Sequence, residues 1–128
     1  MGFLVCIIDD DLVSQFATRY RIEQTNMDCS VVCCDSAEKG LKLLQSREQE
    51  DFDTPIILIV DLIMPGMDGW DFIKKVQNLF KEQHKMKVYI LSAFQNKNDR
   101  LLAKENPLIR GYFDKPLSKH NVDAIFQV

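Results

Sequence analysis

Residues 56–69 read Ile56-Ile57-Leu58-Ile59-Val60-Asp61-Leu62-Ile63-Met64-Pro65-Gly66-Met67-Asp68-Gly69. Five consecutive apolar residues, four of them β-branched, run directly into Asp61. A short unbroken apolar run marks a strand buried on both faces, which is the habit of parallel sheets. Pro65, Gly66 and Gly69 supply a turn after it. Open α/β sheets carry their chemistry at the C-terminal ends of strands. Asp61 therefore sits where a reacting carboxylate would sit.

Upstream, the apolar run 3–8 leads into Asp9, Asp10 and Asp11. Val13, Phe16, Ala17 and Tyr20 then recur at helical spacing, which predicts a helix with these residues as its apolar face. Ile22 falls off that face and is expected at the surface. Asp10 or Asp11 suits the N-cap. Residues 30–34 predict a second strand, followed by a helix capped by Asp35 or Ser36 with Ala37, Leu41 and Leu44 inward. Residues 45–55 are polar and acidic and read as a frayed helix end and a surface loop.

Downstream, Asp68 caps a helix with Phe72, Ile73, Val76, Leu79 and Phe80 on one side. Residues 87–91 predict a fourth strand that ends at Ser92, and a polar helix over about 96–105 stops near Pro107. Residues 109–113 predict a fifth strand, leading to Asp114-Lys115-Pro116. Ser118 caps a last helix with Val122, Ile125 and Phe126 inward.

Five strand–helix units in alternation predict a parallel sheet with helices on both faces. For five strands the common doubly wound order is 2-1-3-4-5, with its switch point between strands 1 and 3. The whole chain, 1–128, is expected to be one domain. Apolar content of 46% and charged content of 27% are ordinary for a soluble globular protein. A net charge of −3 with mixed signs argues against nucleic acid as a main partner. No apolar run reaches the roughly 18 residues of a membrane span, and no basic segment precedes the first run, so neither a membrane anchor nor a signal peptide is expected. Cys6, Cys33 and Cys34 lie in apolar runs and read as small buried hydrophobes in a reducing cytoplasm; Cys29 and Cys33 are spaced CxxxC, but no second ligand pair completes a zinc site.

In the 2-1-3-4-5 order, Asp9, Asp10 and Asp61 converge at the switch point. Three carboxylates this close repel one another, and a divalent cation with oxygen ligands is the simplest compensation. Few carboxylates with room for water and a phosphate suit Mg2+. Ser92 brings a hydroxyl from strand 4, and Lys115 brings a positive charge from strand 5. The set fits phosphoryl transfer to Asp61.

The chain resembles a response-regulator receiver domain of two-component signalling, of the CheY-like, single-domain type. The matching motifs are Ile7-Ile8-Asp9-Asp10-Asp11, the Asp61 to Gly69 stretch with Met64-Pro65 and Met67-Asp68, Ser92-Ala93, and Gly111-Tyr112 with Lys115-Pro116. The resemblance implies that Asp61 is the phosphoacceptor. It implies Mg2+ ligation by Asp10, Asp61 and the main-chain carbonyl of Ile63, with Asp9 helping directly or through water. Ser92 and Tyr112 match the switch pair, and Lys115 matches the phosphate-contacting lysine, with a cis bond to Pro116. A histidine kinase or histidine phosphotransfer domain is implied as donor. A downstream protein target is implied on the face of helix 4, strand 5 and helix 5.

Two positions depart from the family's usual pattern. Ile63 and Phe94 lie two residues after Asp61 and Ser92, where family members influence attack by water on the phosphoryl group. Apolar side chains there cannot position water, which predicts a long-lived phosphoaspartate. A haloacid-dehalogenase-type phosphatase would also use a strand-end Asp, but it needs a second Asp where Ile63 stands. A flavodoxin-like flavin site needs a phosphate cradle where Asp9–Asp11 would repel phosphate. The remaining alternative is a degenerate receiver acting only as a binding module; intact Asp10, Asp61, Ser92 and Lys115 argue against it.

Overall fold

The computed structural model describes residues 2–25, 27–50 (the backbone alone at 48–50), 54–80, 85–93 and 96–127. The elements run β1 Phe3–Ile8, α1 Leu12–Glu23, β2 Cys29–Cys34, α2 Ala37–Glu50, β3 Ile56–Val60, α3 Gly69–Leu79, β4 Met86–Ser92, α4 Lys97–Glu105, β5 Ile109–Asp114 and α5 Lys119–Ile125. The strands form one sheet in the order β2-β1-β3-β4-β5, and every adjacent pair is parallel. The doubly wound order expected from the alternating pattern is the order observed.

Strand periodicity divides the core into two layers. Leu4, Cys6 and Ile8 face one side of β1, where they pack with Leu58, Val60, Leu41, Leu44, Phe72, Val76 and Ala103 under α2, α3 and α4. Val5 and Ile7 face the other side and pack with Ile57, Ile59, Leu91, Ile22, Val122 and Ile125 under α1 and α5. β3 is buried along its whole length. This is why its sequence is an unbroken apolar run instead of an alternation.

The first helix is turned the other way from the sequence expectation. Its buried residues are Gln15, Thr18 and Ile22. Val13, Phe16 and Tyr20 are 78%, 71% and 56% exposed, whereas Ile22 is fully buried. The cap explains the rotation. Asp11 accepts hydrogen bonds from the Val13 and Ser14 N–H groups, and Gln15 Nε2 donates to the Asp9 carbonyl at 2.6 Å. With Gln15 committed inward, Thr18 and Ile22 follow at i+3 and i+7. The apolar stripe is left facing water, where the Phe16 and Tyr20 rings stack at 6.4 Å.

Smaller differences have local causes. α2 continues to Glu50, past the frayed end expected from residue 45; residues 51–53 of the expected loop lie outside the described residues. Leu79 is exposed, while Phe80, the C-cap of α3, turns into the core. β2 begins one residue earlier than read, and β5 extends to Asp114. Asp11, Asp68 and Ser118 are the N-caps of α1, α3 and α5, and Ser118 forms a capping box with Asn121. All four cysteines are free, with Cys6 and Cys34 buried. Burial, with Cys34 alongside, pushes the Cys6 thiol up to about 12.

The orientation of α1 is directly testable by urea unfolding. Ile22→Ala is expected to lower stability by about 2–5 kcal/mol. Phe16→Ala is expected to change it by no more than about 0.5 kcal/mol. The reverse ranking would put the stripe in the core.

Candidate functional site

Backbone pairing extends one step beyond the strands and fixes the site. The Asp9 N–H donates to the Cys34 carbonyl at 3.0 Å, the Asp61 N–H to Ile8 at 2.9 Å and the Lys115 N–H to Ser92 at 2.9 Å. Each functional residue is thus the first one past its strand and is still tied to the neighbouring strand. The loop after Asp61 is closed as tightly. Gly66 adopts φ of 74°, which only glycine takes without strain. At Gly69 a Cβ would stand 2.5 Å from the Asp61 carbonyl oxygen, so α3 can start this close to Asp61 only without a side chain. The Gly69 N–H donates to Leu62 at 3.0 Å, and Met64 is buried in the core below.

Ligand-capable oxygens of Asp9, Asp10 and Asp61 lie within 4.8 Å of one another, with Asp9 and Asp61 buried and Asp10 exposed. Lys115 Nζ bridges two of them, at 2.9 Å from Asp9 Oδ2 and 3.2 Å from Asp61 Oδ2. Asp61 Oδ1 accepts from the Ile63 N–H at 3.3 Å. Burial raises the Asp61 carboxyl above its ordinary range and the Asp9 charge adds to this; Lys115 and the Ile63 N–H act against the rise. Burial alone would lower the Lys115 ammonium, but its contacts with Asp9 and Asp61 outweigh that and raise it. The Lys115–Pro116 peptide is cis.

Ser92 is buried at the end of β4. The Tyr112 hydroxyl is raised by burial and by the Asp99 charge, while a side-chain hydrogen bond with Ser92 works the other way. The Arg100 guanidinium lies 5.4 Å from the Tyr112 ring centroid and 3.9 Å from Asp114. Ile63 is on the rim of the site and 59% exposed. Phe94 lies outside the described residues.

Two contributors were not singled out from the sequence. Ser14 Oγ donates to Asp9 Oδ2 at 2.5 Å, and Gln15 holds the Asp9 carbonyl. Their only signal was two polar side chains at adjacent positions of a helix whose apolar stripe pointed elsewhere. With the Asp11 N–H on Oδ1, the Asp9 carboxylate has a hydroxyl, an ammonium and an amide as partners. Asp10 is the carboxylate left facing solvent.

Residues 5–127 match the family described as the response regulator receiver domain. The chain belongs to that family. That family is one of regulatory receiver domains. The chemotaxis protein CheY-3 of Vibrio cholerae is 27% identical over 121 residues, covering 91% of this chain and 89% of that protein. The sensory transduction protein LytT of Oceanobacillus iheyensis is 28% identical over 83 residues, covering 65% of this chain and 31% of that longer protein. A two-component response regulator from Cytophaga hutchinsonii superposes with a TM-score of 0.90 at 22% identity, covering 98% of this chain and 96% of that one. No helix among the described residues is long and apolar enough to cross a membrane.

The raised Asp61 carboxyl has a sign that can be measured. Its folded pKa lies above the ordinary 3.8, so its favourable contribution is complete below about that pH and is lost as pH rises through the folded value. In chelator at pH 7, Asp61→Asn is therefore expected to be more stable than the parent chain in urea unfolding. The difference should close as pH falls toward 4. A variant less stable at pH 7 would mean that Lys115 overcompensates the buried charge.

Proposed function

We propose that this receiver domain accepts a phosphoryl group on Asp61 from a phosphohistidine of a partner kinase or histidine phosphotransfer domain. The observation that carries the reading is the Asp9–Asp10–Asp61 cluster with Lys115 bridging Asp9 and Asp61. Three formal negative charges face one ammonium there, a deficit that suits one divalent cation. Asp10 and Asp61 would hold Mg2+, with the Ile63 main-chain carbonyl as a third ligand. Asp9 would contribute through water, since its oxygens already accept from Ser14, Lys115 and the Asp11 N–H. The ion would supply Lewis-acid neutralisation of the phosphoryl oxygens.

In the transfer, an Asp61 carboxylate oxygen forms a bond to phosphorus as the phosphorus–nitrogen bond to the donor imidazole breaks. Lys115 turns its ammonium from the carboxylates to the incoming oxygens. Ser92 gives its hydroxyl to the phosphoryl group and gives up its bond with Tyr112. Tyr112 then moves inward, and the face of α4, β5 and α5 is re-presented to a downstream protein. Ile63 and Phe94 offer no group to orient water for hydrolysis, so the acyl phosphate is long-lived.

The donor's seat is the exposed stripe of α1. Leu12, Val13, Phe16 and Tyr20 are all exposed. They begin one residue after the Asp11 cap, and Ile63 adds an apolar side chain beside Asp61. Contiguous exposed apolar surface of this kind marks an interaction site. A partner laid along it would carry its histidine over Asp61.

Incubation with acetyl phosphate and Mg2+, followed by intact-mass measurement, is expected to add one phosphoryl group. Asp61→Asn or chelator should abolish it. Ile63→Asn should shorten the lifetime of the adduct by about tenfold, equivalent to about 1.4 kcal/mol of barrier. A group that persists in Asp61→Asn would overturn the assignment, and an unchanged or slower decay would overturn the role of Ile63. Phe16→Ala is expected to slow transfer from a phosphorylated histidine phosphotransfer domain while leaving the rate with acetyl phosphate unchanged. Equal rates with the protein donor would remove α1 as its seat.

A further inference from the structure

Helix α4 has little apolar anchorage. Ala103 is its one buried residue, while Leu101 and Leu102 are exposed. Polar contacts from α3 hold it in place. Trp70 Nε1 donates to Asp99 Oδ1 at 2.9 Å. Seven residues beyond each of them, Gln77 and Asn106 exchange two amide hydrogen bonds, at 3.1 and 3.3 Å. Seven residues are two helical turns. Both pairs therefore lie along one face of each partner, and α4 is clamped to α3 at its two ends.

The two ends differ in what else they hold. The Asn106 side chain also accepts from the Leu108 N–H at 2.9 Å, and its carbonyl accepts from Ile109 at 3.0 Å. That end is locked to the entry of β5. At the other end the contact to α3 is one bond between an indole N–H and a carboxylate. Trp70 is the second residue of α3, straight after the loop that follows Asp61. Asp99 is the third residue of α4 and adjoins Arg100, which covers Tyr112 and faces Asp114. A single helical turn thus carries both the contact to α3 and the contact to Tyr112.

We infer that the Trp70–Asp99 bond is a latch that holds the first turn of α4 in the unphosphorylated chain, making Trp70 a positioning residue for the Tyr112 response. Opening it lets the turn pivot about Asn106 and lifts Arg100 from Tyr112. The connection to phosphorylation rests on the function proposed above; the latch itself does not.

The test is amide hydrogen exchange of the whole chain in chelator, with no phosphoryl donor. Trp70→Phe keeps an aromatic ring against the core and removes the donor. Asp99→Asn keeps an acceptor oxygen. Exchange at residues 100–105 is expected to rise about tenfold to a hundredfold in Trp70→Phe, the scale of a hydrogen bond to a charged group. It should stay near the parent rate in Asp99→Asn, with the sheet amides unchanged in both. No rise in α4, or an equal rise throughout the chain, overturns the latch. With acetyl phosphate and Mg2+, Trp70→Phe is expected to be phosphorylated faster than the parent. Faster α4 exchange with an unchanged phosphorylation rate overturns the link to the switch. A parent chain that takes up no phosphoryl group overturns the proposed function and leaves the exchange result standing.

Discussion

The ammonium of Lys115 between Asp9 and Asp61 is the interaction on which the site depends. The sheet itself creates the need for it. Hydrogen bonds from Asp9, Asp61 and Lys115 to the neighbouring strand ends fix these backbones, so the carboxylates cannot separate to relieve their repulsion. Compensation must come from side chains and amides brought to them. Lys115 does this from β5, Ser14 from α1, and the Asp11 and Ile63 N–H groups from the turns. The balance is incomplete, since burial still raises Asp61. A group held in an unfavourable charge state gains most from a cation or a new bond.

The same demand shapes α1. A helix that packs on a sheet normally turns its apolar stripe inward. Here the inward positions near the site serve Asp9, through Ser14 and Gln15. Ile22, two turns beyond Gln15, supplies the apolar anchor in the core under α1 and α5. The aromatic residues are left outside. An exposed Phe16–Tyr20 stack is thus the geometric result of using the first turn of the helix to hold Asp9.

These features were unequally legible in the sequence. Strand order and the placing of Asp9, Asp10, Asp61 and Ser92 could be read, because the buried strands β1, β3 and β4 leave nearly continuous apolar runs whose ends the register fixes; Lys115 follows the more exposed β5 and was placed by the alternation of elements. The facing of α1 could not be read. Periodicity reports that a helix has two faces and does not say which one meets the sheet. Only the hydrogen bonds of Gln15 and the Asp11 cap decide that, and they depend on where β1 ends. Ser14 was missed for the same reason. Trp70 and Asp99 were illegible because a bond between residues 29 apart leaves no local pattern.

The contrast between α3 and α4 follows from what each helix carries. α3 buries Phe72, Ile73 and Val76 and begins at a glycine pressed against the Asp61 backbone, so it is anchored to the sheet. α4 buries only Ala103, so its position is set by a few directional bonds, each worth far less than a packed core face. Two arrangements of such a helix can differ by only a few kcal/mol, the range in which one covalent modification shifts a population. A more apolar α4 would be held more firmly. Its Leu101 and Leu102 are exposed and add nothing to that anchorage.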